Sequence, residues 1–404
     1  MNYEKLLYSV NKEIKNNNFQ KAKQLLIEAI KINHNSFELI YNLGLVNKYL
    51  GKTKEAINCF DKSIKINPNF SQSYSTLGSI YTELGKSDLA KKNYFKAIDV
   101  DPKSFTAHYN LGNFYLQSGD INKAEEYFNL SIDINKNNIN PYNNLFQIYD
   151  RSNNLEKLEE ILNNIKKVFG SNTFTKFLEG IYHYRKKNYK ISTEILENLE
   201  LDQNDIPRNV LRANILAKNY DYLKIYEKAF NFYQKSNFIL EKTYLQKVNK
   251  NRYINLVEER LNFFSQKSLK ISQNNNNSNK DLVFLIGFPR SGTTLLDTIL
   301  RTHKSIKVLE EKPLVDKIIF EMEKSLNGNF SNLEKLNSKK IIKFQKIYFE
   351  EREKFIRVKK NEIFIDKLPL NIIYIAEILK IFPSAKFIFA LRNPFDAVLS
   401  CFMQ

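Results

Sequence analysis

The chain has 404 residues, 43% of them hydrophobic and 26% charged, with a formal net charge of +18, so it reads as a folded, soluble protein of two or three domains rather than a disordered one. The positive charge favours anionic partners such as nucleotides, nucleic acid or sulfated polymers, although Lys- and Asn-rich usage fits a codon bias toward A and T equally well. Only Cys59 and Cys401 are present, which excludes a disulfide framework, and no stretch approaches the ~18 apolar residues of a membrane helix.

Internal repetition dominates the first part of the chain. Gly44, Gly78 and Gly112 stand 34 apart, as do Ala22, Ala56, Ala90 and Ala124. Gly51, Gly85 and Gly119 keep the same spacing, with Asn17 and Asn153 extending that series, and Pro68 and Pro102 keep it too. Each unit reads as two amphipathic helices: small residues where the helices cross, Gly or Asn in the turn, Pro past the second helix. Phe146 replaces the first-helix glycine and Gly180 restores it, and Tyr226–Asn237 reads as a last second helix. The pattern resembles the tetratricopeptide repeat, about seven units over residues 3–240 with the last two degenerate, and implies an all-α superhelix whose concave face binds a protein or peptide.

A long amphipathic helix, Leu240–Leu269, is expected to cap the array, followed by a polar linker at Ser272–Asp281. Beyond it the periodicity changes. Leu282–Phe288 and Lys386–Arg392 are short apolar runs suited to buried parallel strands, and Leu370–Pro383 has helical spacing ending at a proline. The second domain is therefore expected to be α/β, with a β-α-β order and a right-handed crossover.

Where the first strand ends, "GFPRSGTTLLDTIL" (Gly287–Leu300) must turn into a helix. The amides of Ser291, Gly292, Thr293 and Thr294 would then gather on one oxyanion, with the helix N-terminus adding partial positive charge. Gly287 and Gly292 match the nucleotide loop G-x-x-x-x-G-K-[ST], but Thr293 stands where that motif requires lysine, and the cation has moved to Arg290. That shift argues against an ordinary ATPase or kinase, as does the lack of a clear Walker-B acid. In "LRNPFDAVLS" (Leu391–Ser400), an Arg at a strand's carboxyl end and a Ser two turns into the next helix can converge on a second phosphate.

These residues resemble the sulfotransferases that use 3′-phosphoadenosine 5′-phosphosulfate (PAPS), and "PRSGTTL" is close to the form found in tyrosylprotein and carbohydrate sulfotransferases. The resemblance implies a P-loop-like parallel-sheet domain in which Arg290, Ser291, Gly292, Thr293 and Thr294 bind the 5′-phosphosulfate while Arg392 and Ser400 bind the 3′-phosphate. It makes Glu311, in "VLEEKP", the general base, with Glu310 as fallback, provided burial raises the carboxyl pKa. It makes Lys367, in "FIDKLP", the residue that neutralises the bridging oxygen, although Leu368 stands where the family more often has an acid. His303 is expected as a loop histidine packed behind the helix, and His34, His108 and His183 form no metal-ligand spacing, so no metal is expected.

Repeats followed by such a domain look like the bacterial tetratricopeptide-repeat sulfotransferases. The expected division is a repeat array over 1–240, a helix and linker over 241–280, and a sulfotransferase domain over 281–404. The expected location is the cytoplasm, and the expected partners are a peptide or protein on the repeats and a hydroxyl-bearing acceptor, not nucleic acid. Family domains continue beyond the 3′-phosphate motif, so the chain is expected to be an incomplete fragment, with its activity as given left open, whose Phe402 and Met403 lack partners. The alternative is a peptide-binding adaptor with a silent nucleotide domain.

Overall fold

The structure, a computed structural model, describes residues 3–244, 249, 251–266, 282–326 and 330–404. The expected linker, Ser272–Asp281, lies outside the described residues. Two compact units divide the chain, Met1–Leu201 and Asp202–Gln404, so the division falls within the stretch read above as repeats.

The first unit holds six helix pairs: α1 (Tyr3–Lys15) with α2 (Phe19–Ile32), α3 (Phe37–Tyr49) with α4 (Thr53–Ile66), α5 (Ser71–Glu83) with α6 (Ser87–Val100), α7 (Phe105–Gln117) with α8 (Ile121–Ile134), α9 (Ile139–Arg151) with α10 (Leu155–Phe169), and α11 (Thr173–Arg185) with α12 (Tyr189–Glu197). Each pair reverses through a residue of positive φ: Asn17, Gly51, Gly85, Gly119, Asn153 and, not foreseen, Lys187. The next amide then closes the helix end, as where Lys52 N donates to Asn47 O at 2.8 Å.

The helix glycines are explained by what faces them. A Cβ on Gly44, Gly78 or Gly112 would come within 2.8 Å of the Phe60, Tyr94 or Phe128 ring, sixteen residues on. In the fifth pair the sizes are exchanged: Phe146 takes the glycine position, the residue sixteen on is the smaller Leu162, and both are buried. Gly78→Ala is thus expected to destabilise the first unit by about 1–3 kcal/mol, because the Tyr94 ring must leave its place. Urea unfolding would measure it, and an unchanged midpoint would refute the packing account.

The second unit opens with a further helix pair, α13 (Ile206–Tyr222) and α14 (Tyr226–Tyr244), turning at Lys224 with φ 61. The expected single helix Leu240–Leu269 is not formed. Instead α14 ends at Tyr244 and α15 covers Arg252–Gln266, with Asn249 outside both and its side chain accepting from the Asn251 amide, an Asx turn that competes with helix. Within the second unit, Phe263 of α15 joins the core, and Arg260 pairs with buried Glu377.

Four parallel strands follow: β1 (Leu282–Gly287), β2 (Ile306–Glu310), β3 (Ile363–Lys367) and β4 (Lys386–Ala390), in the order β2-β3-β1-β4. Between and after them lie α16 (Thr293–Arg301), α17 (Leu314–Ser325), α18 (Ser338–Glu353), α19 (Ile375–Ile381) and α20 (Pro394–Phe402). The expected helix Leu370–Pro383 begins as a 3-10 turn, Pro369–Tyr374, and becomes α-helical only at Ile375. Phe284, Ile286, Leu309 and Phe364 share a core with residues of α17, α18 and α19, while Val283, Leu285, Val308 and Ile365 share another with Leu296 and Leu300 of α16. Burial on both faces is why β1 reads as a continuous apolar run.

Phe402 and Met403 do find partners. Phe402 stacks on Phe230 of α14 with ring centroids 5.0 Å apart, its carbonyl accepts from Asn237 Nδ2 at 2.8 Å, and Met403 packs in the same cluster.

Candidate active site

At the carboxyl end of β1 the chain turns through Phe288–Gly292 into α16. Two residues there have positive φ: Gly292 at 90°, which caps the helix, and Arg290 at 68°, where a side chain makes the conformation costly. Ser291 N donates to Phe288 O at 3.1 Å, so this amide closes the turn and does not join the expected group of four. Among the described residues no backbone carbonyl accepts from the amides of Gly292, Thr293 or Thr294, as a helix's first turn requires. Ser291 is 8% exposed and its Oγ has no hydrogen-bond partner among the described residues, a buried polar group left for something else to satisfy.

The parallel register sets Glu310 of β2 directly beside Lys367 of β3, on the face covered by α16. Lys367 is 0% exposed. Its Nζ donates to Glu311 Oε1 at 2.8 Å, to Glu310 Oε1 at 2.9 Å and to Thr294 Oγ1 at 3.4 Å, so a lysine from the neighbouring strand serves the helix start where Thr293 replaces the loop lysine. Burial works against its charge, but the hydrogen bonds to Glu311 and Glu310 outweigh it and raise the pKa above the ordinary lysine value. The same hydrogen bond from Lys367 holds Glu310 below the usual carboxylate range. The side chains of Glu310 and Glu311 are 45% and 56% exposed, so the expected desolvation of the base is not present. Glu311 has φ 48, and its amide is tied to Lys367 O at 2.8 Å, which fixes the carboxylate beside the lysine despite the strained backbone.

The distant motif arrives at the same place. Arg290 Nε donates to Ser400 Oγ at 3.1 Å, and Arg392 Nη1 donates to Arg290 O at 2.9 Å. A cavity of about 450 Å³ is lined by Arg290, Gly292, Thr293, Thr294, Glu311 and Arg392 together with Leu368, Pro369 and Leu370.

Residues 282–404 match the sulfotransferase family, and tetratricopeptide repeats match at 37–70, 59–92, 78–119 and 105–138. The chain is a tetratricopeptide-repeat protein with a sulfotransferase-family domain. A curated relative from Aquifex aeolicus (strain VF5), described as an uncharacterized protein, is 27% identical over 235 residues, which is 55% of this chain and 30% of the relative. The chain therefore matches less than a third of that relative's length. Among solved structures, PilF of Pseudomonas aeruginosa is 16% identical, covering 49% of this chain and 90% of its own at a TM-score of 0.42. A tetratricopeptide repeat protein of Parabacteroides merdae is 18% identical, covering 62% and 94% at a TM-score of 0.44.

Within the sulfotransferase-family domain, Arg290, Gly292, Thr293, Thr294, Glu311 and Arg392 line one cavity, with Lys367 bonded to Glu311 and Ser400 to Arg290. His303 is not packed behind the helix: it is exposed, and its Nδ1 accepts from Ser305 N at 3.2 Å. Two residues that sequence reasoning missed adjoin the site. Arg301 Nε and Nη2 donate to Asp297 Oδ1 and Oδ2 at 2.5 and 3.0 Å, and Arg301 Nη2 lies 3.8 Å from Glu310 Oε2. Their i,i+4 spacing on α16 was the available signal. Among the described residues no group of three or more His, Cys, Asp and Glu could hold a metal, and no helix is long and apolar enough to cross a membrane.

Proposed function

We propose that the second unit transfers a sulfuryl group from PAPS to a hydroxyl-bearing acceptor. The observation that carries this reading is that an anion-ready helix start, Arg290 and Arg392 line one cavity, with the buried cation Lys367 bonded to its Thr294 and Glu311 and with Ser400 bonded to its Arg290. The unpartnered Ser291 Oγ and the carbonyl-free amides of Gly292, Thr293 and Thr294 suit a phosphosulfate, and Arg392 with Ser400 suits the 3′-phosphate that separates PAPS from ATP.

Bound there, PAPS would supply the sulfuryl group, its bond from sulfur to the phosphate oxygen breaking as the acceptor oxygen bonds to sulfur. Glu311 accepts the acceptor's hydroxyl proton, and Lys367 and Arg290 carry the negative charge left on 3′,5′-ADP. Lys367 must then exchange a carboxylate partner for the donor, and in leaving Glu311 it frees that base. The repeats of residues 1–240 present or recruit the acceptor, residues 241–280 connect, and 281–404 form the sulfotransferase part. We place the protein in the cytoplasm. The acceptor is a protein tyrosine or a carbohydrate hydroxyl.

Affinity for 3′,5′-ADP tests the donor site. Arg392→Ala is expected to weaken binding by roughly tenfold to a hundredfold, the loss of one charge-assisted phosphate contact, as read by calorimetry. Undetectable binding in both forms would favour the peptide-binding adaptor. Label transfer from ³⁵S-PAPS into a lysate, compared with Glu311→Ala, tests the transfer itself.

A further inference from the structure

Glu310 and Glu311 both contact Lys367, but they are not held alike. Glu311 meets the lysine through Oε1 alone. Glu310 offers Oε1 to Lys367 at 2.9 Å and its other oxygen, Oε2, to Arg301 at 3.8 Å. Arg301 is itself fixed, because one edge of its guanidinium, Nε and Nη2, donates to both oxygens of Asp297, whose side chain is 3% exposed. A half-exposed glutamate would ordinarily sample several rotamers. Here it stands between two cations on two different elements, β3 and α16.

We propose that Arg301, anchored by Asp297, is a positioning residue that fixes Glu310 against Lys367 and thereby sets where the lysine ammonium points. The inference rests on the transfer reading above, and it separates two carboxylates the sequence could not tell apart. Glu310 is the permanent counterion of Lys367, and Glu311 is the carboxylate released when the lysine turns to the donor. The charged groups around this cluster are Lys367 from β3, Arg301 and Asp297 from α16, and Glu311 and Lys312 from the segment after β2.

The test follows the ¹⁵N resonance of the Lys367 ammonium through a pH titration, assigned with Lys367→Met. Glu310→Gln removes a counterion and is expected to move the lysine's titration to lower pH. Arg301→Gln is expected to move it in the same direction, because the unclamped Glu310 swings away. Taking a positive charge from this neighbourhood without moving Glu310 would shift the titration the opposite way, so an upward shift, or none, overturns the proposal. In transfer assays Arg301→Gln should lower kcat roughly tenfold to a hundredfold through misplacement of Lys367, with the donor KM within about twofold, and Arg301→Lys should recover part of the loss. Equal losses in Arg301→Gln and Arg301→Lys would count against it. Should Arg301→Gln fail to fold because Asp297 is left buried and unpaired, Arg301→Gln combined with Asp297→Asn removes that charge and serves instead. A titration shifted as expected in a protein that transfers no sulfuryl group would refute the transferase reading and leave the clamp standing. An active enzyme with an unshifted titration would do the reverse.

Discussion

Replacing Lys367 by Met is expected to lower kcat/KM for sulfuryl transfer by roughly 10²–10³-fold, the scale of losing one preorganised donor to a developing oxyanion. Three observations set that size. The ammonium has no solvent exposure, its partners are two carboxylates and the Thr294 hydroxyl at the helix start, and its pKa lies above the ordinary lysine value, so it is cationic throughout the working range. Met fills the same volume in the sheet face, and the two glutamates it leaves behind reach solvent, so the substitution should spare the fold. Steady-state kinetics with labelled PAPS alongside a urea midpoint checks both halves. Activity within about threefold of wild type, with the fold intact, would remove Lys367 from the chemistry.

The repeat period was legible because it is written in residues with one conformational job each. Positive φ at a turn selects Gly or Asn, and a close helix crossing selects Gly opposite Phe or Tyr. Where other residues take those jobs the signal fades: Lys187 and Lys224 adopt positive φ without being turn residues by type, and the Phe146–Leu162 exchange keeps the volume while losing the letter.

In the second unit the sequence announced β1 and β4 but not β2 and β3, and the reason lies in the chemistry. Glu310, Asp366 and Lys367 sit inside or at the ends of strands, and their charges interrupt the apolar run by which a buried strand is recognised. The residues that carry the proposed reaction are thus the ones that hid the elements carrying them. The turn from β1 into α16 was legible because Gly292, at φ 90, constrains the backbone directly. The pairing of Arg301 with Asp297 was not, since an i,i+4 ion pair on a helix is ordinarily a solvated one, and only the burial of Asp297 marks this one out.

Asp366→Asn is expected to stabilise the second unit above neutral pH by about 2–4 kcal/mol while changing little near pH 4. Asp366 is fully buried in β3, on the face opposite Lys367, where Tyr348 Oη of α18 donates to its Oδ2 at 2.7 Å and its Oδ1 has no partner among the described residues. Burial pushes its pKa up to about 7, the Tyr348 hydrogen bond opposes the rise, and the charge of Asp316 adds to it. Folding therefore binds a proton that the unfolded chain, titrating near 4, gives up. The contribution of Asp366 to stability is complete below that lower value and is lost as the pH climbs through the window up to about 7, beyond which a buried charge must be carried. Asn keeps an acceptor for Tyr348 and never ionises. Urea unfolding of both proteins from pH 4 to pH 8 isolates the effect, because every other titrating group cancels in the difference. Parallel stability curves across that range would mean that the carboxylate is ionised at no cost in the folded sheet, and that the proton assigned to the Tyr348–Asp366 pair is not there.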